Sequence, residues 1–461
     1  MDLVNGKLVL DFISKSKMNI RNIVCVIMIF AWMNLHGSSK PNIIWIMAED
    51  ISTELSCYGH SAVKTPVLDH LSSLGTKYTN AFTTAPSCTP SRNAMLTGVY
   101  QTSTDTQDQR RGGVTLPGGI VAFTELLREA GYYTALGCGY HDKTDHNFIA
   151  EKYYNEDKKH TSYLFDGNDW KYRAEGQPFF AQITLPITHR WYSSEWPKLR
   201  ELSENPVDTA EIELPPYFPR HDITLNDWAL YLGAIEKMDS QVGEILMRLE
   251  EEGITDNTIV IFIGDNGRCH LRGKCWLYDA GINIPLIIKW PEEEGNIETD
   301  KLVSMLDVTA TILDVSGAEL PDYLDGRSLL DSSAPEREYV FAARDVIGNV
   351  EDHIRCVRTK QFKYIRNYVP EIGYQECQYV LDNRPMLPII EDLGTQNKLN
   401  NHQKLILAKP KPFEELYQIH TDPNELNNLA TKPEYQETLK KLSRVMDNWI
   451  EETRDKGMVN F

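Results

Sequence analysis

Three short, nearly unbroken apolar runs, at residues 42–47, 179–184 and 258–263, constrain the fold of this chain more than any other feature. A strand with one wet face alternates apolar and polar residues, whereas a strand covered on both faces reads as a continuous apolar run. The runs therefore predict buried parallel strands. Between the last two, residues 225–251 place Ile235, Met238, Val242, Ile245, Leu246 and Leu249 mostly at three- and four-residue steps, which predicts a long helix with one core-facing stripe. Gly253 suits its end. A second helix is read over residues 121–130, entered from Leu116-Pro117 and closed by Gly131. Strands alternating with helices predict a doubly wound α/β sheet, whose ligands sit beyond the carboxyl ends of the strands.

A chain of 461 residues holds such a core and a smaller one beside it. The texture changes after about Pro321. Asp325-Gly326-Arg327-Ser328-Leu329 is turn-like and Ser332-Ser333-Ala334-Pro335 reads as a linker. Strands are expected at 338–342 and 354–367, and a terminal helix at 439–453. The expected organisation is an N-terminal extension at 1–39, a principal α/β domain at 40–331 and a smaller α+β domain at 332–461.

The formal net charge of -19 argues against nucleic-acid binding, which needs a basic surface. Lys15, Lys17 and Arg21 precede an apolar run at 23–32, and Gly37-Ser38-Ser39 follow it. That is the pattern of an export signal, too short for a stable membrane span, so a periplasmic or secreted protein is expected. Of eight cysteines, Cys57, Cys138, Cys269, Cys275, Cys356 and Cys377 are scattered without zinc-site spacing, and their pairing stays open.

Cys88-Thr89-Pro90-Ser91-Arg92, followed by Thr97-Gly98, resembles the signature of the type I sulfatases. Alone, Cys88 also reads as a small buried hydrophobe or half of a disulfide. The resemblance implies an alkaline-phosphatase-like mixed sheet and oxidation of Cys88 to formylglycine by a maturation enzyme. The hydrated aldehyde then offers one hydroxyl to attack sulfur and another to expel sulfate. Pro90 suits a first helical turn, which puts residue 88 at a helix N-terminus, where backbone N–H groups favour an anion. Arg92, one turn on, is expected to reach back to it.

Glu49-Asp50 and Asp265-Asn266 stand at the ends of two predicted strands. Such oxygen donors suit calcium, or else magnesium. The resemblance implies a metal set of Glu49, Asp50, Cys88, Asp265 and Asn266, although most sulfatases have Asp where Glu49 stands. It also implies that Lys143 and Lys274 contact sulfate, and that His189 binds it or helps protonate the leaving group. A histidine titrates near neutrality and suits that work. Asp145 stands where the family usually has histidine, and His141 and His146 are left to compensate. Arg190 is a candidate substrate contact, whereas His270 and Arg272 have no clear role. The positive field that sulfate needs would come from the metal, Arg92, Lys143 and Lys274.

Variant features around Lys143 resemble a sulfamidase-like branch, implying a sulfated sugar or glycosaminoglycan fragment as substrate, with O- or N-sulfate open. Arg344-Asp345 and His353-Ile354-Arg355 resemble a segment bordering the pocket in that branch, which implies contact with the sugar; by themselves they read equally as an exposed strand edge kept soluble by charge. Two other readings exist: a phosphatase or phosphodiesterase of the alkaline phosphatase superfamily, and a non-catalytic glycan-binding relative of the sulfatases.

Overall fold

The computed structural model describes residues 40–149, 164–291, 293–377 and 384–458. The export segment read at residues 15–39 lies outside them. Strands β1 (Asn42–Ala48), β2 (Thr76–Phe82), β3 (Tyr133–Leu136), β4 (Phe179–Leu185), β5 (Thr258–Gly264), β6 (Asn283–Lys289) and β7 (Ile297–Ser304) form one sheet in the order β3-β4-β1-β5-β6-β2-β7. β3, β4, β1 and β5 run parallel, and β6 is antiparallel to both its neighbours. The sheet is thus mixed.

The helices that position the site are α1 (Cys88–Thr97), α2 (Asp222–Glu251) and α3 (Met305–Ser316). The unbroken apolar character of β1 has a direct cause. Ile44, Ile46 and Ala48 share a core with Ile235, Met238 and Val242 of α2, while Ile43, Trp45 and Met47 share another with Val308 and Ile312 of α3. Truncating one such side chain to alanine costs about 2–5 kcal/mol. Helix α2 starts three residues before the predicted position, because His221 Nδ1 accepts from the Ile223 N–H at 3.2 Å and caps it. The motif's Thr97-Gly98 closes α1. Gly98 takes φ 70°, a conformation that costs glycine little.

A second sheet, β11-β10-β9-β8, is antiparallel throughout: β8 (Val340–Ile347), β9 (Val350–Arg358), β10 (Phe362–Asn367) and β11 (Glu414–Gln418). The single strand expected over 354–367 is two strands. Thr359 Oγ1 accepts from the N–H groups of Gln361 and Phe362 and turns the chain. One face of this sheet, with Ile354, Cys356, Ile365 and Tyr417, belongs to the same core as the α2 side of the first sheet. The other, with Val357, Tyr364 and Leu416, packs on Leu439, Leu442 and Met446 of α4 (Gln436–Glu452). Both sheets lie in one compact unit.

Candidate active site

Register brings the site together. Ala48 at the end of β1 stands opposite Leu185 of β4 and Gly264 of β5, so three parallel strands leave the sheet at one level. Glu49-Asp50 and Asp265-Asn266 follow directly, and Thr188-His189 follow after Pro186 and Ile187. The crossing chains are tied by Asp265 N–H to Ala48 O at 3.1 Å, Ile51 N–H to Asn266 O at 3.1 Å and Asp50 N–H to Asp265 Oδ1 at 3.1 Å. Asp50 takes φ 52°, so the chain leaves strand geometry at the residue that offers the central carboxylate.

Cys88 is the first residue of α1, with Ser87 still extended before it. Its Sγ lies 2.8 Å from Lys274 Nζ and 3.8 Å from Asp50 Oδ1, and Lys274 Nζ itself lies 2.5 Å from Asp50 Oδ1. Arg92, expected to reach back to residue 88, instead bonds Glu49 Oε1 through Nη2 and Asp265 Oδ2 through Nε, both at 3.1 Å. Buried carboxylates demand a paired charge, and Arg92 supplies it. Its Nη1 also donates to Thr184 Oγ1 and to the Lys143 carbonyl, each at 3.2 Å. Lys143 Nζ lies 2.6 Å from Glu49 Oε1 and 3.4 Å from Asp145 Oδ2. Asp145, left without a role in the sequence reading, thus joins the ion network. His189 Nε2 faces Asp50 Oδ2 at 3.7 Å, while its Nδ1 accepts from the Trp191 N–H at 3.1 Å. That bond puts the proton of the neutral ring on Nε2, the nitrogen turned toward Asp50.

The electrostatics follow from burial and pairing. Burial pushes the Glu49 and Asp50 carboxyls up, but Lys143 and Arg92 on the first and Lys274 on the second outweigh it, so both stay below their ordinary values. Asp265 is raised, because burial exceeds what Arg92 recovers. Burial, then Asp265, lifts the Cys88 thiol well above the usual range despite Lys143 and Lys274. Burial brings His189 down to about 4, more than Asp50 restores. At neutral pH the site holds a protonated thiol and a neutral imidazole.

The donor set fits a divalent cation. Asp50 Oδ2 and Asn266 Oδ1 are buried without a hydrogen-bond partner among the described residues. Ligand atoms of Asp50, Cys88 and His189 lie within 4.8 Å of one another. The carboxylates of Glu49, Asp50, Asp145 and Asp265 outnumber the cations Arg92, Lys143 and Lys274, so a divalent ion would turn the local balance positive.

Several other flagged residues serve the fold. Arg190 is buried and makes a two-pronged pair with Asp227 at 2.5 and 2.9 Å, which corrects its reading as a substrate contact. His270 is buried between Trp228 and Tyr231. His146 bonds Thr144 and packs against Phe148 with the rings tilted, and His141 lies beside Asp142. Neither is brought to Cys88 by these contacts. Arg344 donates to the Cys275 carbonyl at 2.8 Å, next to Lys274. His353 is held by Asp345 and Glu351, and Arg355 by Asp345 and Asp455. These three groups, expected to touch the sugar, are occupied by the protein itself. Thr184, which receives Arg92, carried no sequence signal beyond its place at a strand end.

Comparison with known proteins bears on this arrangement. The chain matches the sulfatase family model over residues 41–318 and the N-sulphoglucosamine sulphohydrolase C-terminal model over residues 267–392. It is 34% identical to an ulvan-active sulfatase of Formosa agariphila, over 89% of this chain and 75% of that one. It is 26% identical to human N-sulphoglucosamine sulphohydrolase, over 92% of each. Among solved structures, its fold resembles that of BT1596, a 2-O GAG sulfatase, with a TM-score of 0.65 at 19% identity over 90% of this chain and 93% of the other. It also resembles BT4656, solved in complex with its substrate D-glucosamine-2-N,6-O-disulfate, with a TM-score of 0.60 at 19% identity over 91% of this chain and 100% of the other.

Proposed function

Since the chain belongs to the sulfatase family, in a branch carrying the N-sulphoglucosamine sulphohydrolase C-terminal region, we propose that it removes O- or N-sulfate from sulfated glycans through a formylglycine at residue 88. It is a hydrolase of sulfuric esters or sulfamates, and the family match favours this over the phosphatase and non-catalytic readings. The glycan reading is supported by the relatives, named for ulvan and for N-sulphoglucosamine. The observation that carries the mechanism is Cys88 at the start of a buried helix, with Lys274 Nζ 2.8 Å away and three strand ends around it.

The thiol as encoded is a poor nucleophile, because burial and Asp265 keep it protonated. Formylglycine at this position supplies a hydrated aldehyde, with one hydroxyl for attack on sulfur and a second for sulfate release. Asp50, Asp265 and Asn266, with Glu49 at their border, would hold calcium or magnesium, which lowers the pKa of an attacking hydroxyl and stabilises charge on sulfate oxygens. Arg92 holds Glu49 and Asp265 in place. Lys143 and Lys274 present positive charge to the sulfuryl oxygens. His189 offers its Nε2–H to the departing oxygen. The apolar run at residues 23–32 would direct export, and no helix among the described residues is long and apolar enough to cross a membrane.

The test pairs chemistry with activity. The protein is produced with a formylglycine-generating enzyme, and the peptide containing residue 88 is weighed by mass spectrometry. Sulfate release is followed from N-sulfated and O-sulfated oligosaccharides. Conversion of Cys88 and release from a glycan are expected, with a folded Cys88→Ala protein releasing none. Release by Cys88→Ala would overturn the mechanism, and turnover confined to aryl sulfates would overturn the glycan reading.

A further inference from the structure

Trp191 leaves 67% of its surface in water two residues beyond His189. A single exposed apolar side chain is ordinary, but three observations set this one apart. Its backbone N–H holds His189 Nδ1 at 3.1 Å, and the two rings meet edge to face with centroids 6.0 Å apart. The indole is therefore registered against the site rather than hung from a remote loop. The Arg110 guanidinium lies 5.2 Å from the centre of the same ring. Arg110 is exposed and makes no ion pair with a carboxylate among the described residues, whereas neighbouring Arg111 pairs with Asp105 at 2.9 Å. Arg110 is also near enough to act electrostatically on Asp145, the partner of Lys143. Trp191 and Arg110 thus flank the edge of the site where Lys143 and Asp145 are only partly covered.

An indole face takes the C–H face of a pyranose ring, and a guanidinium takes a carboxylate or sulfate in a forked pair. In a chain with formal net charge -19, an exposed arginine at this edge gives a local attraction for anionic sugar. We propose that Trp191 and Arg110 form a platform for the sugar next to the sulfated one: its ring lies on the indole and its oxyanion substituent meets Arg110. The platform rests on the glycan reading and narrows it to oligosaccharides with an acidic neighbouring residue.

Steady-state kinetics of the matured enzyme test this on four substrates. One is a sulfated monosaccharide. The others are disaccharides with the same sulfated residue and a neighbour that is neutral, carboxylated or sulfated. Trp191→Ala is expected to raise KM for all the disaccharides about tenfold relative to the monosaccharide, with kcat little changed. Trp191→Phe should restore most of that difference. Arg110→Gln should raise KM only where the neighbour is anionic, and the carboxylated and sulfated arms separate the two sources of charge. Melting curves of each variant report folding, and Arg110→Gln changes only an exposed side chain. Equal losses on monosaccharide and disaccharides, a loss confined to kcat, or no loss would overturn the platform. A wild-type enzyme that releases sulfate from aryl sulfates but from none of the sugars refutes the glycan reading and the platform together.

Discussion

Replacing Arg355 by methionine should destabilise the protein without changing which sugar it prefers. Arg355 has no exposure and holds two carboxylates at once. Nε and Nη2 bond Asp455 at 2.6 and 2.8 Å, and Nη1 and Nη2 bond Asp345 at 3.0 and 3.1 Å. Methionine keeps much of the apolar stem and removes the fork, leaving both aspartates buried and short of a partner. Breaking a buried pair in this way costs about 3–5 kcal/mol, and the remaining His353–Asp345 contact at 2.5 Å favours the lower end. The cost depends on pH. Burial pushes the Asp345 carboxyl up, but Arg355 and His353 outweigh it, so its folded value lies below the unfolded value of about 3.9. A depressed carboxyl contributes stability above its unfolded pKa and loses it as pH falls through the folded one. Without Arg355 the burial penalty dominates and the carboxyl rises, so protonation relieves the variant as pH falls from neutrality. Urea unfolding of both proteins at pH 7.5 and pH 5 should show a large gap that narrows in acid. A loss under about 1 kcal/mol, a gap independent of pH, or a changed KM with unchanged stability would refute the reasoning.

Arg344→Ala should lower kcat/KM about tenfold on sulfated sugar and aryl sulfate alike, because Arg344 holds the Cys275 carbonyl beside Lys274; a loss on the sugar alone would return it to substrate recognition. Gly281→Ala should depress activity and melting temperature together. The added Cβ would stand 2.1 Å from the Trp276 carbonyl oxygen and 2.5 Å from that of Gly273, on the Lys274 loop, and a variant that melts and turns over like the parent would contradict this. Chelation should abolish sulfate release and lower the melting temperature, with calcium or magnesium restoring both; recovery with zinc alone would point to a different donor set.

What the sequence by itself determined lies in local pattern. Continuous apolar runs marked β1, β4 and β5 within a residue or two, because a strand buried on both faces has no place for polar alternation. The Cys88 motif marked the family, and Pro90 marked the start of α1 at residue 88, because such signals depend on neighbours a few residues away. Tertiary structure decided where charges go. Arg92 serves the strand-end carboxylates, Arg190 serves Asp227 and Arg344 serves the Lys274 loop, and each partner lies tens to hundreds of positions away along the chain. A long cationic side chain looks the same in sequence whether it meets substrate or protein. Burial decides, since a desolvated carboxylate must be paired within the fold, and only the packed chain shows which arginine reaches it. Trp191 is the converse case: its worth lies in remaining uncovered beside His189, which no local pattern records.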